Sequence, residues 1–219
     1  MICVSFLNPG YESTGYDSVH PMGWKADHKT TAFLKEAARD NDAEIGLAEV
    51  GARQGQNADL KSYCEMLQKD HAQAKGNLEA ISQKYGVDTN QAQARRENRE
   101  VAKFEKLTGT EFDQKFAEQI LSDHQKRISK YNKAASELQA ADVKQYAETM
   151  LPKLREHFQK ASDIAKAVGV DPATISSITK KLPAVGGTAD SIQTIQGTGQ
   201  NAQQGDASKD LLKNETPKP

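Results

Sequence analysis

Hydrophobic residues recur at intervals of three and four over most of the chain, and this spacing is typical of helices with one buried face. The row around His71 shows the pattern: Leu60, Leu67, His71, Ala74, Leu78, Ile81 and Tyr85. The sequence has no alternating run of Val, Ile and Thr bounded by turn residues, which would indicate a strand. The pattern therefore predicts an all-α fold.

Capping and turn residues divide this pattern into four long helices. Asn57, Thr108 and Asp142 each precede a periodic stretch and are predicted N-caps, and Glu111 gives Thr108 the spacing of a capping box. Gly-rich or polar breaks separate the stretches. The predicted helices cover, in order, residues 27–52, 57–85, 108–138 and 142–168.

The connection between the second and third helices is long enough to contain a further element. Val101, Phe104 and Leu107 give it one apolar face, which predicts a shorter crossover helix rather than a loose loop. A crossover makes the second and third helices parallel. The predicted architecture is a four-helix bundle with a crossover helix between helices 2 and 3.

The two ends of the chain differ in composition from this central part. Residues 1–26 are rich in Gly, Pro, Ser and Tyr and lack the pattern of a secretory signal, so the start as written predicts a cytoplasmic product. Residues 27–168 form the predicted bundle domain. Residues 169–219 are predicted to be a mostly disordered tail, because they offer little apolar surface to offset ordering entropy, with one short amphipathic helix at 173–182.

Charge and cysteine content exclude several classes of protein. The net charge is −1, and no basic stripe is interleaved with aromatic residues, so the sequence predicts no nucleic-acid partner. No run reaches the ~18 apolar residues that a membrane-spanning helix needs. The two cysteines form neither a CxxC pair nor a disulfide framework.

One histidine lies in the apolar row of each of the last three long helices: His71, His124 and His157. The first helix contributes Asn41 and Glu44 to the corresponding row. Residues equidistant from the turn of an antiparallel helix pair lie at the same height. The midpoint of His124 and His157 falls in the break before residue 142, and that of Glu44 and His71 falls beside the predicted cap Asn57, so each pair is level. His71 lies 14 residues after Asn57 and His124 lies 16 after Thr108, so parallel second and third helices place all four side chains near the middle of the bundle.

Three imidazoles and a carboxylate suit a single transition-metal ion such as zinc, copper, nickel or iron. The predicted ligands are therefore Glu44, His71, His124 and His157. Polar neighbours are expected to accept hydrogen bonds behind them, namely Asn41, Asp70 and Asp123. The alternative is that the histidines are buried core residues whose nitrogens bond to polar partners inside the bundle.

Catalytic signatures are missing from the same rows. A di-iron bundle needs Glu three residues before its histidines, but Gln68, Leu121 and Leu154 occupy those positions. No Ser or Cys stands in a recognisable nucleophile motif. The sequence therefore predicts a protein that is not an enzyme, and an oxidase is the least favoured reading.

Several ordered blocks resemble a known family: "FLKEAARDNDAEIGLAEVG", "LKSYCEMLQKDHAQAKGNLEAI", "LTGTEFDQKFAEQILSDHQKRISKY" and "YAETMLPKLREHFQKA". They are similar to the bacterial Domain of Unknown Function 4142 family, described as predicted outer-membrane proteins with a ferritin-like bundle. The likeness covers about residues 32–165. It implies a ferritin-like fold, a location in the periplasm or cell envelope, and a structural or stress-related envelope role as the alternative to metal binding.

Overall fold

The computed structural model describes residues 26–89 and 101–184. Their helices are α1 (His28–Gln54), α2 (Ala58–Lys84), α3 (Gly109–Glu137), α4 (Ala141–Ala167) and α5 (Pro172–Thr179), and residues 101–104 are also helical. The described residues contain no strand. The all-α prediction is therefore confirmed, and each long helix begins and ends within two residues of the predicted bounds.

The predicted caps are only partly correct. Asn57 caps α2, where its side chain accepts a hydrogen bond from the backbone N–H of Leu60 at 3.0 Å. Thr108 is the N-cap of α3, as predicted, but its side chain makes no capping hydrogen bond. Asp142 lies inside the first turn of α4, and Ala140 is the N-cap. The carboxylate of Asp142 instead pairs with Lys84 and Tyr85 at the end of α2.

Contacts at the helix ends establish the directions of the long helices. Asp113, in the first turns of α3, accepts hydrogen bonds from the backbone N–H groups of Gln56 and Asn57 in the turn between α1 and α2, each at 2.9 Å. The contact between Asp142 and the end of α2 brings the α3–α4 turn to the opposite end of α2. The helices α2 and α3 therefore point in the same direction, as predicted.

The core lies between these helices, with close pairing of α1 with α2 and of α3 with α4. Gly51 shows how closely α1 approaches its neighbours: a Cβ there would lie 2.4 Å from Cys64 Sγ and 2.6 Å from Phe116 Cζ. The largest fully buried side chains are Tyr131, Phe112, Phe116, Leu34, Leu47, Leu60, Leu67, Leu78, Ile120, Leu121, Ile128 and Leu154.

The connection before α3 packs its apolar face onto this core. Phe104 is buried and makes edge contacts with the rings of Phe112 and Phe116, with centroids 6.2 and 5.5 Å apart. Val101 and Leu107 are partly buried against the core. The apolar face predicted from these three residues is confirmed, whereas positions 90–100 of the predicted crossover helix lie outside the described residues.

The short helix predicted at 173–182 is present as α5. Asp171 caps it by accepting from the backbone N–H of Thr174 at 2.9 Å, and Ile175 and Ile178 are buried. All of the described helices belong to one compact unit, which ends at Pro183. Residues 1–25 of the predicted irregular start (1–26) and residues 185–219 of the predicted tail (169–219) lie outside the described residues.

Candidate functional site

The histidines at 71, 124 and 157 come together between the long helices. None of the three side chains is more than 1% exposed. The ring centroids of His71 and His124 are 6.0 Å apart, those of His71 and His157 are 5.4 Å apart, and those of His124 and His157 are 5.3 Å apart. The predicted convergence of the three imidazoles is therefore present, and we call these three residues the histidine cluster.

The first member of the cluster, His71 on α2, is held by a residue of α1. Its Nδ1 lies 3.0 Å from Asn41 Oδ1, which can only accept, so Nδ1 is the protonated nitrogen. The Asn41 amide donates to the Tyr146 hydroxyl at 3.4 Å, and that hydroxyl donates to the Ala74 carbonyl at 3.3 Å. This chain of bonds leaves His71 Nε2 buried, with a lone pair and no hydrogen-bond partner.

The second member, His124, is held by its own helix. Its Nδ1 donates to the Ile120 carbonyl at 3.0 Å, one turn earlier in α3. The Nε2 atom is therefore the unprotonated nitrogen of a neutral ring, and it too is buried without a hydrogen-bond partner.

The third member, His157 on α4, is held by a carboxylate on α2. Its Nε2 lies 3.0 Å from Asp70 Oδ2, and the same oxygen lies 3.4 Å from Lys153 Nζ. The His157 Nδ1 atom is buried without a hydrogen-bond partner. The backbone is fixed as well, because the Tyr63 hydroxyl donates to the His157 carbonyl at 3.0 Å.

The cluster thus has one anchored nitrogen and one unpartnered nitrogen on every ring. One ring nitrogen from each of the three histidines can be chosen so that all three lie within 4.8 Å of one another. Nitrogens bound to one tetrahedral ion at about 2.0–2.1 Å are about 3.4 Å apart, so modest ring movements would bring them to coordination distance. Buried polar atoms without partners are rare and costly, and a cation would satisfy all three.

Electrostatics keep these imidazoles in the form that binds metals. Burial, together with the neighbouring His124 and His157, lowers the pKa of His71 well below its ordinary value. Burial lowers the pKa of His124 to about 3, with a further contribution from His157. Burial also lowers the pKa of His157, although Asp70 acts in the opposite direction. All three rings are therefore neutral at neutral pH, as a metal ligand requires.

The predicted ligand Glu44 lies beside the cluster but is already paired. Its side chain is fully buried on α1, and its carboxylate forms an ion pair with Arg127 of α3. Glu44 Oε1 lies 3.8 Å from His124 Nδ1. This is the nitrogen that donates to Ile120, whereas the unpartnered nitrogen of His124 is Nε2. Arg127 was not predicted beside the cluster because arginine is usually exposed; its position one turn after His124 was the available signal.

The three residues predicted to accept hydrogen bonds from the ligands differ in the partners that they contact. Asn41 and Asp70 contact the cluster, Asp70 through His157 on the facing helix rather than through its sequence neighbour His71. Asp123 accepts from Gln119 Nε2 at 2.7 Å and from the exposed Lys126 Nζ at 3.0 Å. These contacts hold Asp123 on the outer face of α3, and the Ile120 carbonyl is the acceptor behind His124.

Comparison with known proteins gives one family and one fold. The model of the family Domain of unknown function (DUF4142) matches residues 20–164. The chain is also similar in structure to a DUF305 fragment from Deinococcus radiodurans, with a TM-score of 0.57 and 14% identity over 65% of this chain and 98% of that one. Comparison with curated sequences gives no match.

Within the described residues, none of the helices combines the length and apolar character needed to cross a membrane.

Proposed function

We propose that this chain, which belongs to the DUF4142 family, binds one transition-metal ion through His71, His124 and His157, and that it acts as a binding protein rather than an enzyme. The proposal depends on the different environments of the two nitrogens in each imidazole ring. One nitrogen is fixed by an oxygen acceptor, while the other is buried, unprotonated and without a partner. Metal-binding histidines are typically held in this way.

The chemistry of the donors limits the ions that suit the site. Three neutral imidazoles are good ligands for zinc, copper, nickel and iron(II), and poor ones for magnesium or calcium, which prefer oxygen. The di-iron alternative has little support, because the residues one turn before the histidines, Gln68, Leu121 and Leu154, cannot supply carboxylates.

The proposal includes a ferritin-like four-helix bundle with a crossover helix between α2 and α3. It is supported by the common direction of α2 and α3 and by the docking of Phe104 on the core. Such bundles commonly place metal sites between facing helices. A location in the periplasm or cell envelope is also part of the proposal, and it depends on the family likeness alone; fractionation of cells that express the native gene tests it.

A structural or stress-related role is the second candidate. It is favoured by the hydrogen bonds that the histidines already make, since the chain from His71 through Asn41 to Tyr146 links α1, α2 and α4. In this reading the imidazoles are buried hydrogen-bonding residues that align the helices.

Metal analysis of the full chain, purified without a histidine tag or chelators, separates the two candidates. After equilibration with zinc, copper, nickel or iron(II), mass spectrometry should find one ion per chain. His124→Ala and His157→Ala should abolish binding, whereas the matched control His28→Ala, at an exposed position, should retain it. A wild-type chain that takes up none of these ions, with an unchanged Tm, would exclude metal binding and favour the structural role.

A further inference from the structure

We infer that Arg127 determines which ions the histidine cluster accepts, by keeping the Glu44 carboxylate out of the donor set. The inference depends on the proposed metal binding and adds the residue that controls its selectivity. It starts from a buried ion pair in contact with the cluster, formed by one residue of α1 and one of α3.

The ion pair is positioned by contacts on both sides. Glu44 is 0% exposed, and the Arg127 side chain is 7% exposed. Arg127 Nη2 donates to the Asp40 carbonyl at 3.3 Å, which ties the guanidinium to α1. Glu44 Oε1 lies 3.8 Å from His124 Nδ1, the ring nitrogen that donates to Ile120, so the carboxylate lies beside the cluster while its charge is neutralised by Arg127.

The pairing of Glu44 with Arg127 determines whether the metal ligands are three nitrogens alone or three nitrogens and an oxygen. A buried carboxylate without a partner is strongly unfavourable, and it gains most from the nearest cation. While Arg127 is that cation, the metal site offers three imidazole nitrogens. Without Arg127, the nearest cation would be the bound metal ion, and rotation of the Glu44 side chain would add an oxygen ligand.

An added carboxylate changes the order of preference among ions. Imidazole suits zinc, copper and nickel, whereas manganese prefers carboxylate and other oxygen ligands. We therefore expect the wild-type chain to discriminate strongly against manganese, and a variant without Arg127 to accept it more readily. Zinc binding should persist in both, because zinc accepts nitrogen and oxygen ligands.

Competition between manganese(II) and zinc(II) tests the inference on four full-length proteins: wild type, Arg127→Gln, the double variant Glu44→Gln/Arg127→Gln, and Arg53→Gln. Arg53 forms an exposed pair with Glu105 and so controls for the loss of an arginine charge from an arginine–glutamate pair. Each protein is dialysed against buffered mixtures of both ions, and the bound manganese-to-zinc ratio is measured by mass spectrometry.

We expect Arg127→Gln to raise this ratio at least tenfold, and the double variant and Arg53→Gln to stay within about threefold of wild type. An unchanged ratio in Arg127→Gln, or an equal rise in the double variant, would overturn the role of Arg127 while leaving the metal site intact. Absence of zinc from the wild type would instead overturn the proposed function. If Arg127→Gln is isolated unfolded, either ion should restore its helical circular dichroism, and failure of both ions would overturn the inference.

Discussion

The carboxylate of Asp70 and the imidazole of His157 lie 3.0 Å apart across the interface between α2 and α4. The carboxylate fixes the tautomer of His157, with the proton on Nε2, and leaves Nδ1 unprotonated, buried and without a hydrogen-bond partner. Burial raises the pKa of Asp70, but the hydrogen bond with His157 and the nearby Lys153 lower it overall, so the carboxylate is ionised at neutral pH. This contact gives the proposed metal site an anionic support on α2.

Asp70→Asn should weaken zinc binding by about 10- to 100-fold, because a ligand histidine loses the anion that orients it and increases its basicity. The matched control is Asp123→Asn, since Asp123 also precedes a cluster histidine but is bonded to Gln119 and Lys126. Competition with a zinc-binding dye measures both affinities. Equal losses of zinc affinity in the two variants would show that the contact between Asp70 and His157 does not account for the weaker binding.

The metal-free protein should lose stability as the pH falls below about 6.5, the ordinary pKa of histidine. The pKa of each cluster histidine is lowered in the folded state, so the unfolded chain binds more protons in this range. The stabilisation is complete above pH 6.5 and is lost as the pH falls toward the folded pKa, which for His124 is about 3.

From pH 7 to pH 5, this loss should amount to about 2 kcal/mol for each histidine that stays neutral in the fold. Urea unfolding followed by circular dichroism measures the free energy at each pH. His124→Leu, which removes one of these buried imidazoles, should reduce the pH dependence. A free energy of unfolding that is constant over this range would contradict the neutral, buried state of the cluster.

Gly51→Ala should destabilise the fold by about 1–3 kcal/mol, because the new methyl group would overlap Cys64 and the Phe116 ring. The control is Gly76→Ala in α2, where a Cβ would meet no atom within 4 Å. That change should stabilise the protein by up to about 1 kcal/mol through helix propensity. Thermal unfolding should therefore shift in opposite directions for the two substitutions.

Phe104→Ala should lower the free energy of unfolding by about 3–5 kcal/mol, because the side chain is buried against Phe112 and Phe116. Leu107→Ala, at a partly buried position in the same connection, should cost less. Denaturant unfolding compares the two variants. Similar small losses in both would mean that the connection before α3 contributes little to the core.

The sequence by itself determined the helices, their buried faces and the common height of the three histidines. Helical periodicity reports which residues of a helix share a face, and distance from a turn reports height along the axis. Together with the crossover that makes the second and third helices parallel, these two quantities were sufficient to place His71, His124 and His157 at one height.

Only the tertiary structure decided which groups pair within that layer. Glu44 was expected among the ligands, yet it pairs with Arg127, and Asp70 supports His157 of the facing helix rather than His71 beside it. Such contacts depend on how each helix is rotated, which helix packs against which, and which rotamer each side chain adopts. Periodicity carries none of this information, since the same buried face accommodates several partners.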